Sequence, residues 1–413
     1  MANQAVDIAI VGGGIMGMSI AHQIARRSKI RVAVFEKGLG LGEGSTGGSS
    51  SITRQRYTKV ENIRIARDGN VIWRNWSDYV GSDAPNGRFH DIGVLWMMDT
   101  DPEAVAKDQR RMAAEGIDVV DIGASDVNEL FPAFSTCMEP FDLTGEVEHV
   151  CAQGDRFLLE RDTGFFDATG ALLDVAIAAK KAGVDVRLGT EVTDVIVTSG
   201  RATGVALSDG SRIDAGLVIN AAGPWCNQIN AMAGLEISWP LIPTRIQVLY
   251  RTLPPEVPRP IPVTADAAGG IYFRPEAGDG QIIAGSVLEE DELEDADPDD
   301  YNKTANRSFI DSKVHALHHR IPSLPYMGIP GGMASLYTVN RTDVLPVVGP
   351  TSIDSYAVVN GFSGHGFKES QIIGSMMAKW ITGERADFDT DVPMDFFSID
   401  RDPIEVEEHN VLA

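Results

Sequence analysis

The chain has 413 residues, a length that favours two or three domains and allows a large buried core. Its 43% hydrophobic, 23% charged and 7% aromatic residues are typical of a globular protein and exclude a disordered or fibrous one. Lysine plus arginine total 35 and aspartate plus glutamate 59, which gives a net charge of -24. We therefore expect no binding to nucleic acid or to an anionic membrane, and we interpret the charge as promoting solubility.

The three cysteines, Cys137, Cys151 and Cys226, lie far apart in the sequence and have no metal-ligand spacing. We therefore predict free thiols in a reducing compartment and no metal site. The first residues lack the basic segment of a secretory signal, and the sequence lacks the run of about 18 apolar residues that a membrane span needs. These features predict a cytoplasmic protein.

The first elements along the chain are a strand, a glycine turn, a helix and a second strand. Val6–Val11 is an apolar run of strand length, Ile15–Arg27 has helical spacing of apolar residues, and Arg31–Phe35 is another apolar run. A cluster of glycine and serine residues follows at 38–51. Because it directly follows a βαβ unit and is rich in backbone donors, we interpret it as an ordered phosphate-binding loop, with a flexible linker as the alternative.

The remaining elements alternate between helices and strands. Helical patterns cover 60–80, 102–114, 168–182 with Asp167 as the N-cap, 306–320 and 367–382. Strand patterns cover 184–188, 191–214, 217–220, most of 240–333 and 356–360. We expect the acidic stretch Glu289–Asp300 to be a solvated loop and the residues after Ser398 to be a peripheral tail. Because nucleotide-binding and β-rich blocks alternate, the sequence predicts two interleaved domains.

The first glycine turn has the spacing of a dinucleotide site. Gly12, Gly14 and Gly17 form a G-x-G-x-x-G pattern between the first strand and helix. This arrangement permits a tight turn, a close approach of pyrophosphate to the backbone, and close packing of helix on strand. Glu36 ends the next strand, where a carboxylate can accept hydrogen bonds from a ribose and disfavours a 2′-phosphate. A glycine turn without a ligand is the alternative.

The fingerprint alone does not distinguish FAD from NAD. The loop Gly44–Ser50 places hydroxyl groups and glycine amides just after the acidic residue, which suits the extended pyrophosphate of FAD. The segment Val218–Gly223 is similar to the strand and turn that FAD proteins place near the first fingerprint. We favour FAD, and NAD-dependent catalysis without flavin is the alternative.

These motifs resemble the D-amino-acid oxidase-like FAD superfamily, and within it most closely the sarcosine oxidases, glycine oxidase and dimethylglycine dehydrogenase. The resemblance rests on five segments: 11–17 with Glu36, 44–54, 221–225, 272–276 and 361–368. It implies an α/β FAD-binding domain, Rossmann-like and of the glutathione-reductase type, formed by 1–84, 164–228 and 343–398. This domain is interleaved with a smaller α+β substrate domain, built on a large mixed or antiparallel sheet from 85–163 and 229–342, and 399–413 is a tail.

The resemblance also implies which residues contact the cofactor. The block Gly361–Gly366 lets the backbone approach a planar ring, and the following helix directs its N-terminus at the negative charge of reduced flavin. The residues expected to bind FAD are Gly12, Gly14, Ile15, Met16, Gly17, Glu36, Lys37, Gly44, Ser45, Thr46, Ser49, Ser50, Val192, Ala222, Gly223, Trp225, Gly361, Gly364, His365, Gly366, Phe367 and Lys368.

Four residues are expected at the substrate. Arg54 matches the arginine that sarcosine oxidases use to bind the substrate carboxylate, and a guanidinium holds a carboxylate with two hydrogen bonds. Arg56 is its rival, because two residues on from Arg54 it shares one face of a predicted strand. Lys368 adds a positive charge, and Tyr272 and Tyr337 match family tyrosines that line the pocket. A further cation, Arg274, is a candidate to bind a second acidic group.

The sequence departs from the family pattern at several positions. Ser335 stands where monomeric sarcosine oxidases attach flavin through cysteine, and residues 44–51 contain no histidine, so we predict non-covalent FAD. The segment Gln281–Ser286 lacks the lysine associated with oxygen activation, so the resemblance does not fix oxidase activity or sarcosine as substrate. His365 lies among glycines and is not expected to be a catalytic base.

We therefore expect an FAD-dependent oxidoreductase that oxidises the C–N bond of a small amine or amino acid carrying a carboxylate. Hydride passes to flavin N5, the imine product hydrolyses, and oxygen or an electron carrier accepts the electrons. The first alternative is a 2-hydroxy acid dehydrogenase, which needs a positioned base that is not evident here. The second is a non-catalytic flavoprotein subunit whose acidic surface docks a basic partner.

Overall fold

The computed structural model describes residues 4–98, 101–140, 146–278, 280–326, 328–407 and 412. The helices are α1 Ile15–Arg27, α2 Val60–Arg74, α3 Trp76–Val80, α4 Pro102–Ala114, α5 Ala124–Leu130, α6 Ala168–Lys181, α7 Cys226–Ala233, α8 Arg307–Arg320 and α9 Gly366–Thr382. The strands are β1 Gln4–Val11, β2 Val32–Phe35, β3 Phe89–Asp91, β4 Val94–Met97, β5 Val119–Gly123, β6 Arg156–Glu160, β7 Gly164–Phe166, β8 Asp185–Arg187, β9 Val192–Thr198, β10 Arg201–Leu207, β11 Arg212–Asn220, β12 Leu241–Thr252, β13 Val263–Asp266, β14 Ile271–Pro275, β15 Gln281–Ser286, β16 Gly331–Asn340, β17 Val347–Pro350 and β18 Tyr356–Asn360.

The first sheet contains β1, the strand that precedes the glycine turn. Its strand order is β17-β18-β11-β1-β2-β8, and β9 and β10 extend from β11 as an antiparallel pair. The central strands are parallel, with Val11 opposite both Asn220 and Phe35. Both faces are covered, which explains why β1 is almost continuously apolar. Ile8 and Ile10 pack with α1, α6 and α9, whereas Ala9 and Val11 face α7 and the β9–β10 pair.

The second sheet is built from the strands β4–β6 and β12–β16. Its strands follow the order β16-β12-β15-β14-β13-β4-β6-β5, and most neighbours are antiparallel. On one face Phe273 and Ile282 pack under α8. On the other face Trp96 and Tyr272 pack towards α2. The expected mixed sheet is thus present, and we call the face that carries Trp96 and Tyr272 its inner face.

The chain passes repeatedly between the two sheets. Strands of the first sheet come from 4–35, 185–220 and 347–360, and strands of the second come from 94–160 and 241–340. The domain boundaries at 84, 163, 228 and 342 remain a prediction. Among the helices that the structure describes, none is long and apolar enough to cross a bilayer.

One expectation about local structure is wrong, and two hold for most residues but not for all. The helical stretch 60–80 is divided into α2 and α3 at Asn75. Most of the acidic stretch is exposed as expected, but Glu292 is buried. Residues 399–407 of the tail are exposed or half-buried as expected, but Leu412 is 5% exposed and packs with the inner face of the second sheet. Residues 408–411 and 413 of the predicted tail lie outside the described residues.

Candidate active site

The turn between β1 and α1 can be built only with glycine at two positions. Gly12 has φ +109, and a Cβ at this residue would lie 2.4 Å from the carbonyl oxygen of Ala221. A Cβ on Gly17 would lie 2.0 Å from the carbonyl oxygen of Gly12. Thr46 Oγ1 accepts a hydrogen bond from the Ile15 amide at 3.1 Å, which joins the Ser/Gly loop to the start of α1. The result is a narrow backbone cradle at a helix N-terminus.

The carboxylate of Glu36 lies at the edge of this cradle. It accepts hydrogen bonds from the amide of Gly13 at 2.9 Å and from the amide of Gly38 at 2.7 Å. These two bonds fix the side chain at the end of β2, at the mouth of a cleft. The position is the one that the sequence predicts for a ribose-binding acid.

The cleft has a volume of about 400 Å³, within the range of cofactor sites. It runs from the glycine turn to the start of α9. Of the predicted cofactor residues it is lined by Gly12, Gly14, Ile15, Met16, Glu36, Lys37, Gly44, Ser45, Thr46, Ser49, Val192, Ala222, Gly223, Trp225, Gly361, Gly364, Gly366 and Phe367.

Four predicted cofactor residues do not line this cleft. Gly17 lies beneath it, where α1 packs on the turn. Ser50 and Lys368 line a smaller, neighbouring pocket. The ring of His365 is fully buried and packs edge-on against Tyr57, with ring centroids 5.6 Å apart. His365 thus packs behind the loop, and whether it has a catalytic role stays a matter of prediction.

Sequence reasoning missed Asp299 in the wall of the cleft. Its carboxylate accepts hydrogen bonds from Lys37 Nζ at 2.6 Å and from Trp225 Nε1 at 2.8 Å. Asp299 comes from the acidic stretch that was expected to be solvated, and no local pattern distinguishes it from its neighbours. Other residues also line the cleft without being on the list of expected FAD-binding residues. They are Val11, Phe35, Gly38, Gly42, Glu43, Thr190, Glu191, Ala221, Pro224, Gln228, Ile229, Met232, Pro298, Tyr301, Lys303, Thr338, Phe362 and Ser363.

The smaller pocket has a volume of about 40 Å³ and lies between the second sheet and the start of α9. Most of its wall is apolar or aromatic. The described residues that line it are Ser49, Ser50, Ser51, Ile52, Arg54, Val94, Trp96, Val263, Thr264, Ala265, Tyr272, Gly364, Phe367, Lys368 and Leu412. Gly364 and Phe367 line the large cleft as well, so the two spaces adjoin at the turn before α9.

Arg54 and Arg56 occupy different places. Arg54 is 4% exposed and lines the smaller pocket, with its guanidinium 4.1 Å from the ring centroid of Tyr57. Arg56 does not line this pocket, and it pairs with Asp108 at 2.7 Å. The backbone between them is held by Glu160, whose carboxylate accepts the amides of Gln55 at 2.9 Å and Arg56 at 3.1 Å. The expectation that both arginines share one strand face is wrong, because this segment is irregular beyond an isolated bridge at residue 52.

Lys368 and Glu369 form a buried pair at the start of α9. Burial, and then the charge of Arg54, holds the pKa of Lys368 well below its ordinary value, while the Glu369 carboxylate opposes this shift. Burial raises the pKa of Glu369 to about 7, against the charges of Lys368 and Arg54. Glu369 is a second residue that the sequence analysis missed. It follows directly after the family block and carries no separate signal.

The two predicted tyrosines meet at the boundary of the two spaces. Tyr272 lines the smaller pocket and Tyr337 lines the cleft. Burial raises the pKa of both phenols, and Tyr272 is hydrogen-bonded to Tyr337 and Ser50. Both hydroxyl groups therefore stay protonated at ordinary pH. Arg274 lines neither space; its Nε donates to the carbonyl oxygen of Ser50 at 2.7 Å.

Comparisons with known proteins identify the family. The model of the family described as FAD dependent oxidoreductase (DAO) matches residues 7–380. The chain belongs to this family. It is 26% identical to FAD-dependent oxidoreductase domain-containing protein 1 of Xenopus laevis, over 91% of this chain and 79% of that protein. It is also 26% identical to mitochondrial dimethylglycine dehydrogenase of Rattus norvegicus, over 93% of this chain and 44% of that protein.

A solved structure of L-proline dehydrogenase from P. horikoshii is similar to this one along most of its length. The TM-score is 0.81 at 25% identity, with 96% of this chain and 97% of that chain covered. The family, the cofactor FAD and the enzyme class predicted from the sequence are thus confirmed: this chain is an FAD-dependent oxidoreductase. The cradle at Gly12 and Gly17, which a Cβ would fill, fits the pyrophosphate of FAD, and Glu36 fits its ribose.

Proposed function

We propose that this oxidoreductase oxidises the carbon–nitrogen bond of a small amine that carries a carboxylate, such as an amino acid or an N-alkylated amino acid. The observation that carries this proposal is the buried guanidinium of Arg54, with the buried amino group of Lys368 in the same wall of a small and largely apolar pocket. The pocket volume of about 40 Å³ favours a substrate of few atoms. Relatives named for dimethylglycine and L-proline support the same substrate class.

In this proposal Arg54 binds the substrate carboxylate and Lys368 assists it. A guanidinium is always charged and offers two parallel donors, so it fixes the orientation of the carboxylate. Arg54 is preferred to Arg56 because Arg56 is already paired with Asp108 outside the pocket. A bound carboxylate would also favour the ammonium form of Lys368, because an opposite charge offsets the cost of burial.

The amine is expected to react in its neutral form. The charge of Arg54 and the apolar wall both disfavour an ammonium ion in this pocket, so binding promotes loss of the amine proton. Tyr272 and Tyr337 then act as flat walls and hydroxyl donors that orient the substrate. Among the residues described in the pocket wall no histidine is present, so substrate orientation and electrostatics carry the protein's share of the work.

FAD supplies, when bound, the acceptor for the hydride that leaves the carbon next to nitrogen, at flavin N5. The residues that line the cleft would hold its pyrophosphate and ribose, and the loop 361–366 would contact its ring. Attachment is proposed to be non-covalent, since Ser335 stands against Gly48 where monomeric sarcosine oxidases have a cysteine. The imine product then hydrolyses in water, and oxygen or an electron carrier takes the electrons. Classification of the FAD domain as glutathione-reductase type and a cytoplasmic location remain predictions.

The test is an anaerobic absorbance titration of the holoenzyme. Sarcosine, dimethylglycine, proline, D- and L-amino acids and 2-hydroxy acids are added in turn, and the flavin absorbance is followed. Reduction by one of the amines is the expected result, and admitting air then distinguishes an oxidase from a dehydrogenase. Reduction by hydroxy acids alone would replace the proposal with the hydroxy acid alternative. Reduction by none of them, including larger amines, would favour a non-catalytic flavoprotein subunit.

A further inference from the structure

A second cluster of reactive side chains lies outside the cleft and the smaller pocket. Cys137, His149 and His319 each offer a ligand atom, and these atoms all lie within 4.8 Å of one another. Cys137 Sγ is 3.4 Å from His149 Nε2. The rings of His149 and His319 meet edge to face, with centroids 5.2 Å apart. The spacing of the cysteines along the chain gave no indication of this cluster.

Cys151 lies at the edge of this cluster, next to Cys137. The thiol of Cys151 is hydrogen-bonded to Cys137, and Gln153 Nε2 donates to Cys151 Sγ at 3.1 Å. All three cysteines of the chain are free thiols. With Cys151 as the fourth ligand, the donor set is two sulfur and two imidazole nitrogen atoms, which is a combination typical of structural zinc sites.

We propose that Cys137, His149, Cys151 and His319 bind one zinc ion. Tetrahedral zinc with Zn–S bonds of about 2.3 Å and Zn–N bonds of about 2.0 Å separates a sulfur from a nitrogen by about 3.5 Å. The observed separation of 3.4 Å between Cys137 and His149 matches this value. With four protein ligands the ion has no open position, so the site is structural and takes no part in the redox reaction.

The backbone holds these ligands together from two directions. Residues 136–138 pair with 152–154: the Met138 amide donates to the Ala152 carbonyl at 2.7 Å, and the Gly154 amide donates to the Thr136 carbonyl at 2.9 Å. This pairing brings Cys137 beside Cys151. His319 belongs to a distant part of the chain, the last turn of α8. Zinc would thus cross-link this paired segment to the helix that covers the second sheet.

The proposed zinc site is connected to the smaller pocket through Arg320 and β13. Arg320, next to His319, pairs with Asp266 at 2.6 Å, and both side chains are fully buried. The Ser135 amide donates to the Arg320 carbonyl at 2.8 Å. Asp266 ends β13, and residues 263–265 of that strand line the smaller pocket. The zinc site therefore supports β13 from the side opposite to the substrate.

The test is the metal content of the holoenzyme after growth with added zinc and extensive dialysis. Elemental analysis is expected to find about one zinc per chain, and X-ray absorption to find two sulfur and two nitrogen neighbours. Cys137→Ser and His319→Gln are expected to lower the zinc content by about tenfold or more. Cys226→Ala and His318→Gln are matched controls, because Cys226 lies in another core and His318 stacks on Tyr326 instead.

Flavin content of each variant reports whether it has folded, so a loss of zinc in a flavin-loaded variant is specific. A variant that fails to fold is replaced by Cys151→Ser, since Cys151 is exposed. Holoenzyme with less than about a tenth of a zinc per chain would overturn the proposal, as would zinc that persists unchanged in the ligand variants. A disulfide between Cys137 and Cys151 in the purified protein would overturn it too.

Discussion

Replacing Arg54 tests the carboxylate-binding site most directly. Arg54 is 4% exposed, and a guanidinium–carboxylate pair there makes two charge-assisted hydrogen bonds of about 1.5–3 kcal/mol each. Loss of both in Arg54→Ala amounts to about 3–6 kcal/mol, which at about 1.4 kcal/mol per tenfold weakens binding by about 10²–10⁴. Arg54→Lys keeps the charge and one bond, so we expect a loss of about 10–100-fold.

The assay does not require the natural substrate. Binding of acetate or propionate is followed by the change it causes in the flavin absorption spectrum of the holoenzyme. Arg56→Lys is the matched control, because Arg56 makes a half-buried ion pair with Asp108 outside the pocket and its change should alter affinity by less than about threefold. Equal losses in the Arg54 and Arg56 variants, or normal affinity in Arg54→Lys, would refute the assignment.

Three further predictions concern the buried pair and the glycine turn. The raised pKa of Glu369, about 7 against an ordinary 4.5, means that its neutral form stabilises the fold below pH 4.5 and that this contribution is lost as pH rises to 7. Between pH 4 and pH 8 the free energy of unfolding should therefore fall by up to about 3 kcal/mol more in the wild type than in Glu369→Gln. Chemical denaturation measures this difference, and Glu129→Gln, at an exposed position, is the control. Gly17→Ala places a Cβ 2.0 Å from the Gly12 carbonyl oxygen and should abolish FAD retention during gel filtration, whereas Gly331→Ala, which meets nothing within 4 Å, should retain FAD. Glu36→Gln keeps the shape of the side chain but not its charge, so calorimetry should show FAD binding to the apoprotein weakened by about tenfold, and unchanged affinity would contradict the ribose contact.

The parts of the site that could be predicted are those determined by local sequence. The turn at Gly12 follows from steric limits on neighbouring residues, and Glu36 is fixed by the length of β2. Lys368 lies near the start of α9, and few residues separate this helix from β18, so its position can be predicted from the sequence. In each case the contacts that decide the position lie within a few residues or in an adjacent strand.

Other features depend on contacts between distant segments, which sequence spacing does not report. Arg54 and Arg56 separate because Glu160, about a hundred residues away, holds the amides between them and prevents a regular strand. Asp299 reaches the cleft because Lys37 and Trp225 bind it. The proposed zinc ligands converge only when α8 packs beside the paired segments 136–138 and 152–154. A charge or a histidine in sequence indicates chemistry, but its partner is decided by tertiary packing.

The Ser/Gly loop explains why the two sheets must form together to make the site. Ser45 Oγ donates to the Leu336 carbonyl on β16 at 2.6 Å, while Thr46 accepts from α1 of the first sheet. A Cβ on Gly48 would lie 2.5 Å from the Ser335 side chain, so the loop also packs directly on β16. The same loop therefore forms one wall of the cleft and continues into the wall of the smaller pocket. Because one segment lines both spaces, it connects the proposed FAD site to the proposed substrate pocket, and hydride transfer between two separately bound molecules requires such a fixed arrangement.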